Sequence, residues 1–228
     1  MINTTQAAQG SQRPTPFKGA HEQDDTAMAE SAARIDHHLG LELSALLTRF
    51  QLQRPAPAHR LASPGLKPAA VLLPIVPRAM GLQLLLTRRS RHLRHHAGQI
   101  SFPGGRQDPH DRDLIETALR ETDEELGIPA RQIQVLGTLN PLNTVSHFEV
   151  LPVLGLLNPD YPLTLSPDEV EQAFEVPLQH LLNPTHHIAL TFPRQQHLHT
   201  VYGIPWQQHF IWGATASMIR QLAQHIAP

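Results

Sequence analysis

The sequence predicts an α+β or α/β/α sandwich fold. Short apolar runs typical of strands are mixed with a few helical segments, one in the middle of the chain and one at its end. With 228 residues, 40% of them hydrophobic and 17% charged, the chain has room for one domain with a sizeable core. We expect this domain to span residues 69–228.

The first 68 residues differ in composition from the rest. Residues 1–27 are rich in Gln, Thr, Ser, Pro and Asp, and apart from Met1 their only large apolar residues are Ile2 and Phe17. Such a segment buries too little surface to offset its ordering entropy, so we predict a disordered tail. Residues 28–68 are predicted to form a helical segment, Met28–Leu52 with a break near Gly40, and a Pro-rich connector.

Within the domain, alternating or continuous apolar runs predict the strands, and wider apolar spacing predicts the helices. Pro74 lies inside the first apolar run and suggests that this strand is an edge or contains a bulge. The predicted strands are Ala70–Val76, Gly81–Thr87, Gln99–Phe102, Gln134–Thr138, Phe148–Leu157 and Val170–Val176, with a hairpin of His197–Tyr202 and Gln208–Ile211. The predicted helices are Leu114–Leu126, Pro177–Leu182 and Thr215–Ile226.

Composition limits the function classes. The formal net charge of −2 gives no bulk attraction to nucleic acid or to an anionic membrane. There is no cysteine, which excludes disulfides and thiolate metal sites and is compatible with the cytoplasm. No apolar run is long enough to span a bilayer, and Met1–Gln12 lacks the features of a secretory signal. We therefore expect a cytoplasmic protein with no nucleic-acid or membrane partner, and the sequence leaves a homodimer open.

The segment Asp113–Gly127 shows the signals of a well-defined helix. Asp113 is suited to cap its N-terminus, Glu116 resembles the second half of a capping box, and Gly127 supplies a C-terminal stop. A helical period then places one apolar stripe toward the core, and we expect it to consist of Ile115, Leu119, Thr122 and Leu126.

Three carboxylates, those of Glu121, Glu124 and Glu125, fall on roughly the opposite side of this helix. A solvated acidic face is the common explanation of such a pattern. Two features favour a metal site instead. The carboxylates lie toward the helix C-terminus, where the helix dipole disfavours anions, and Gly104-Gly105 upstream offers bare backbone that a phosphate could approach. Carboxylate oxygens suit Mg²⁺ or Mn²⁺.

At this point the sequence resembles a known family. The run from Gly104 to Ile128, GGRQDPHDRDLIETALRETDEELGI, is similar to the Nudix box, whose core has the form RE-U-x-EE-x-G-U. Thr122 departs from it, because an aliphatic residue is usual there, and a buried Thr could bond back to its own helix. The upstream Glu of the box has no clear match, and Asp111 and Asp113 are the nearby candidates.

The stretch before the box resembles one subfamily, the coenzyme A pyrophosphatases. Residues 85–105 read LLTRRSRHLRHHAGQISFPGG and match its signature at Arg89, Ser90, Arg94, Gly98 and Phe102–Gly105. The same stretch carries the only dense basic cluster of the chain. Arginine side chains bind phosphates well, and coenzyme A carries a 3′-phosphate besides its pyrophosphate. A solvated connection or a weak nucleic-acid patch is the alternative explanation of the cluster.

The resemblance implies a Nudix-like α/β/α sandwich with a mixed central sheet, and metal-dependent hydrolysis of coenzyme A or its derivatives to 3′,5′-adenosine bisphosphate and (acyl-)phosphopantetheine. A Nudix pyrophosphatase acting on ADP-ribose or dinucleotides, and a nucleotide-binding module without activity, stay open as alternatives. Glu169 and Glu171 are candidates for a general base outside the box. The resemblance assigns four residues to catalysis, the last three of them as ligands of Mg²⁺ or Mn²⁺: Arg120, Glu121, Glu124 and Glu125. Together with the basic cluster, it assigns five residues to substrate binding: Arg88, Arg89, Arg94, Gly104 and Gly105.

Overall fold

The computed structural model describes residues 42–52, 65–194 and 197–227. An eight-stranded mixed sheet forms its centre. Its strands are β1 (Lys67–Arg78), β2 (Gly81–Arg89), β3 (Ile100–Ser101), β4 (Gly104–Arg106), β5 (Ile133–Thr138), β6 (Leu142–Asn143), β7 (Phe148–Leu157) and β8 (Val170–Pro177). A three-stranded sheet contains β9 (Ile188–Arg194), β10 (His197–Trp206) and β11 (His209–Trp212). The helices are α1 (residues 42–52), α2 (Leu114–Leu126), α3 (Leu178–Leu182) and α4 (Gly213–His225), with 3₁₀ turns at Ala130–Gln132 and Pro184–His186.

Helices and strands form layers on both faces of the central sheet. Helix α2 packs on one face through a core that includes Leu72, Leu85 and Ala118. On the other face, α1, α3, α4 and the three-stranded sheet share a second core that includes Phe50 and Ile204. This arrangement confirms the predicted α/β/α sandwich with a mixed central sheet. Among the described residues, no helix is long and apolar enough to cross a membrane.

The order β3-β2-β1-β7-β5 makes β1 the central strand. It runs parallel to β7 and antiparallel to β2, but β1 and β2 pair only from Ile75↔Leu84 to Arg78↔Gly81. Beyond that point the two strands diverge. The segment that contains β3 and β4 fills the opening between them. Strand β3 pairs with the end of β2, and β4 pairs with the start of β1.

Pro74 lies where these strands diverge. The prediction that it marks an edge strand or a bulge was wrong, because the residue is buried in the central strand. The amide of Leu72 donates to Pro103 O at 2.9 Å, so the nitrogen two residues later points to the same side of β1. On that side Pro74 falls between the stretch paired with β4 and the stretch paired with β2, and its missing N–H costs the sheet no hydrogen bond.

Helix α2 has the bounds that its capping signals predict. The Asp113 carboxylate accepts a bond from Glu116 N at 2.8 Å, and Gly127 ends the helix with a φ of 66°. The capping box is displaced by one residue, because the Glu116 carboxylate accepts from Arg112 N at 2.6 Å rather than from Asp113 N. Thr122 is buried and donates to Ala118 O at 2.6 Å, as expected for a Thr at this position.

The core-facing stripe of α2 differs from the prediction. It consists of Leu114, Thr117, Ala118, Thr122, Glu125 and Leu126, whereas Ile115 and Leu119 are only half-buried. The stripe is rotated toward Glu125, so that this carboxylate lies on the protein side of the helix.

The remaining differences between the predicted and observed elements are smaller. Lys67 and Pro68 belong to β1 rather than to the connector, and β4, β6 and β9 were not predicted. The predicted tail, most of the N-terminal helix and residues 53–64 of the connector lie outside the described residues.

Candidate active site

Arg120 connects the acidic side chains of α2 to the loop before the helix. Its Nη1 donates to Glu121 Oε1 and to Glu124 Oε2, each at 2.9 Å. Its Nε and Nη2 donate to the two carboxylate oxygens of Asp111 at 2.9 and 3.0 Å, and Nη2 also reaches Arg106 O at 3.3 Å. One guanidinium therefore fixes three carboxylates.

Asp111 is the acidic partner that the sequence left open between two candidates. Its side chain is only 4% exposed and also accepts a bond from Thr117 Oγ1 at 2.8 Å. The bonds from Arg120 lower the pKa of Asp111 to about 2. Asp113 is the N-cap residue instead. Of the two candidates, Asp111 is thus the one that positions Arg120.

Glu125 has a different environment. Its side chain is 2% exposed, and its described contacts are Arg89 Nη1 and Gly104 N, both at 3.4 Å. Burial is the main cause that raises the pKa of Glu125 to about 8; the nearby Arg89 opposes the rise, and Glu121 and Glu169 add to it. Burial likewise raises the pKa of Glu121. A buried and a half-buried carboxylate one turn apart make this a place where additional positive charge is favourable.

The two glycines of β4 make room for protein atoms. Gly104 has a φ of 151°, and a Cβ there would overlap with the backbone of β1 at Ala70 and Val71. A Cβ on Gly105 would lie 2.5 Å from the Glu121 carboxyl carbon. The glycines therefore allow β4 to pass between β1 and α2, which brings the amide of Gly104 to Glu125.

The basic residues of the sequence cluster separate in the structure. Arg89 faces α2, but Arg88 faces the opposite side of β2, where its Nη2 donates to His209 Nδ1 at 2.9 Å. His209 in turn stacks on Phe174 with ring centroids 4.0 Å apart. The structure thus does not bring Arg88 to the carboxylates. Arg94 is exposed in the loop of residues 90–99, which is closed by a bond from Arg89 N to Gln99 O at 2.9 Å.

The carboxylates fit a hard divalent cation by their chemistry. Glu121, Glu124 and Glu125 offer only oxygen donors, which Mg²⁺ and Mn²⁺ prefer, and a cation would stabilise the ionised forms of Glu121 and Glu125, whose pKa values burial raises. Glu124 is 57% exposed and so accessible to a ligand from solvent. Within the part of the chain that the structure describes, no three acidic or histidine side chains already converge at ligating geometry.

Comparison with known proteins identifies the family. The NUDIX domain matches residues 66–195. The chain belongs to the Nudix family. A protein of Photorhabdus laumondii described as uncharacterized Nudix hydrolase NudL is 49% identical over 82% of this chain and 98% of its own length. A relative of the same description from Yersinia pestis is 45% identical over 82% of this chain and 96% of its own. Among solved structures, an Ap4A hydrolase of C. elegans is similar over 49% of this chain and 80% of its own, with 28% identity and a TM-score of 0.41.

As a Nudix hydrolase, the protein is an enzyme that acts on a pyrophosphate substrate. The structure adds contacts for two acidic residues that the sequence offered only as candidates, Asp111 and Glu169. Asp111 could have been chosen over Asp113 from the sequence, because Asp113 was already assigned as the N-cap of the helix. Glu169 lies close enough to raise the pKa values of both Glu121 and Glu125, whereas Glu171 pairs with Arg91 at 3.3 Å.

Proposed function

We propose that this Nudix hydrolase cleaves the pyrophosphate bond of coenzyme A or a derivative, in the cytoplasm, to 3′,5′-adenosine bisphosphate and (acyl-)phosphopantetheine. The proposal rests chiefly on the position of the basic loop, residues 90–99. This loop begins directly after Arg89, and its last residue, Gln99, accepts a hydrogen bond from the Arg89 amide. The guanidinium of Arg89 contacts Glu125, so the base of the loop lies beside the acidic side chains. A substrate diphosphate bound at the acidic side chains of α2 would therefore lie next to a loop that carries Arg91 and Arg94.

The chain's own residues would divide the work. Glu121, Glu124 and Glu125 would hold one to three Mg²⁺ or Mn²⁺ ions, which Nudix hydrolases generally need. When bound, these ions neutralise the diphosphate and lower the pKa of a coordinated water. Arg120, held by Asp111, keeps Glu121 and Glu124 in place. Arg89 would offset the charge of Glu125 once that carboxyl group is ionised on a bound cation, and it would donate to a substrate phosphate oxygen bound there.

A general base would come from outside the helix. Glu169 is the better of the two predicted candidates, because it is exposed and acts electrostatically on both Glu121 and Glu125. The amide of Ser90 donates to Glu169 O at 2.8 Å, which ties this residue to the start of the basic loop. The carboxylate could then accept a proton from the attacking water as the bond to phosphorus forms and the other phosphate leaves.

The 3′-phosphate provides the sharpest test of this substrate. With Mg²⁺ or Mn²⁺, we would measure cleavage of coenzyme A, acyl-coenzyme A, dephospho-coenzyme A, ADP-ribose and NADH, with products identified by mass. Arg94→Ala should raise KM about 10-fold for coenzyme A and leave KM for dephospho-coenzyme A nearly unchanged, because one charge-assisted contact to the 3′-phosphate is lost. Arg91→Ala is the matched control, since Arg91 already pairs with Glu171 in the same loop.

Three other outcomes of these assays would each contradict a different part of the proposal. Equal losses on coenzyme A and dephospho-coenzyme A in Arg94→Ala would remove the 3′-phosphate assignment. Faster cleavage of ADP-ribose or NADH by the wild-type protein would keep Nudix chemistry and discard coenzyme A as the substrate. Binding of nucleotides without any cleavage would favour a non-catalytic module.

A further inference from the structure

The three-stranded sheet has one buried face and one exposed apolar face. Ile204, His209 and Ile211 point from its inner face into the core. Its outer face, which we define by Ile188, Leu190, Phe192, Phe210 and Trp212, is open to solvent, and each of these side chains is 43–45% exposed. The register places them together, because Ile188 pairs with Gly203, Gly203 with Trp212, and Leu190 with Val201.

The outer face is large for an unpartnered surface. Its five defining side chains, three of them aromatic, expose roughly 500 Å² of mainly apolar surface. A soluble monomer rarely leaves a contiguous apolar patch of more than a few hundred Å² uncovered. A stable interface needs about 800 Å² from each partner, and about two-thirds of a homodimer interface is apolar. The outer face supplies roughly 500 of these 800 Å², the neighbouring exposed His199 and Pro205 extend it, and its apolar composition is that of a homodimer interface.

The charge pattern restricts the kind of partner. In the sequence of the three strands, Arg194 is the only Lys, Arg, Asp or Glu. A partner selected by charge complementarity would have little to recognise here, and a membrane surface is normally bound through several basic residues beside the aromatic ones. A flat, nearly uncharged apolar face is complementary to a second copy of itself.

Residues 1–27 offer a poor cover. Apart from Met1, they contain only Ile2 and Phe17 as large apolar residues, too few to match five large side chains. The other large apolar residues before α1 lead directly into that helix, which packs in the second core and not on the outer face; they are Met28, Ile35, Leu39 and Leu41. We therefore infer that the outer face is a dimer interface, in which two copies pack their three-stranded sheets face to face about a twofold axis. The two sheets would lie about 10 Å apart, the usual spacing of stacked sheets. This inference is independent of the substrate proposed above.

Analytical ultracentrifugation of the full chain tests the interface. We expect the wild-type protein, whose chain mass is 25.4 kDa, to sediment with twice that mass between about 1 and about 50 µM. Leu190→Asp and Phe192→Asp should each raise the dimer dissociation constant at least about 100-fold, because a dimer would bury the introduced charge twice. Thr191→Asp is the matched control: it is exposed on the same strand but lies on the other face, so it should remain dimeric.

Circular dichroism and thermal melting of all variants would show that the monomeric ones are folded. A wild-type protein that is monomeric throughout this range would overturn the inference. So would Thr191→Asp dissociating as readily as Leu190→Asp, because the hairpin rather than the outer face would then be responsible. Flotation of a monomeric wild-type protein with phosphatidylcholine vesicles would also overturn it and assign the face to a lipid surface.

Discussion

Asp111→Asn is the substitution that most directly tests how the acidic helix is positioned. Asp111 accepts two bonds from Arg120 and one from Thr117, and asparagine keeps the shape but removes the charge. Arg120 would lose its bidentate partner, and the bonds that it donates to Glu121 and Glu124 would no longer be held in one geometry.

The pKa of Asp111 sets the size of the stability effect. In the folded protein this pKa is about 2, against an ordinary value of 3.8. The difference corresponds to about 2 kcal/mol of stability at neutral pH, or a fall in Tm of about 4–8 °C for a domain of this size. Because the folded pKa is depressed, the contribution is complete above about pH 4 and is lost as the pH falls toward 2. Catalytic activity should fall by about 10–100-fold, as is usual when a group that orients metal ligands is removed.

Urea unfolding between pH 2 and 7 would measure the stability of the wild type and of Asp111→Asn. We expect the two curves to differ by about 2 kcal/mol at pH 7 and to converge as the pH falls from 4 to 2. Asp123→Asn, an exposed position on the same helix, is the control and should change stability by less than about 0.5 kcal/mol. A difference that persists unchanged at pH 2, or an Asp111→Asn enzyme with full activity, would refute the role of Asp111.

Two further predictions concern the carboxylates themselves. Because burial raises the pKa of Glu125 from 4.5 to about 8, Glu125→Gln should gain about 3 kcal/mol in unfolding free energy at pH 7 in EDTA. The same variant should lose metal-dependent turnover and the stabilisation that Mg²⁺ gives the wild type, and retained turnover would contradict its role as a ligand. Gly105→Ala should lower kcat about 10–100-fold with little change in Tm, because its backbone suits any residue and the atoms nearest to the new Cβ belong to the Glu121 carboxylate, the end of a side chain that can move. Wild-type kinetics in that variant would show that Glu121 can move without consequence.

Local signals were sufficient where one segment determines its own structure. Helix α2 begins and ends where Asp113 and Gly127 predict, since capping depends on residues within one turn. Strand β7 also has its predicted bounds, because ten apolar-rich residues between polar turns have few alternatives. The Nudix box could therefore be placed on its helix from sequence alone.

Features that depend on distant contacts could not be predicted in this way. Helical period alone placed Glu125 beside Glu124 on the acidic face, but packing against β4 rotates the buried stripe to include it. The separation of Arg88 from Arg89 follows from strand alternation, and it was missed because the predicted strand ended at Thr87. Strand β9 does show alternation, yet its apolar side chains face solvent, and a pattern cannot show which face of a strand is covered.

The position of Pro74 also has a consequence for the synthesis of the protein. Strand β1 pairs in parallel with β7, which starts about 80 residues later in the chain. At the usual rate of translation, the ribosome needs roughly 4–16 s to make that stretch. During this time the apolar segment around Pro74 has no native partner on that side, which is the condition under which such segments aggregate. Pro74 offers no N–H on the opposite edge of this segment, the edge that later faces β2 and β4, so it interrupts pairing with other nascent chains along that edge and removes no hydrogen bond from the finished sheet.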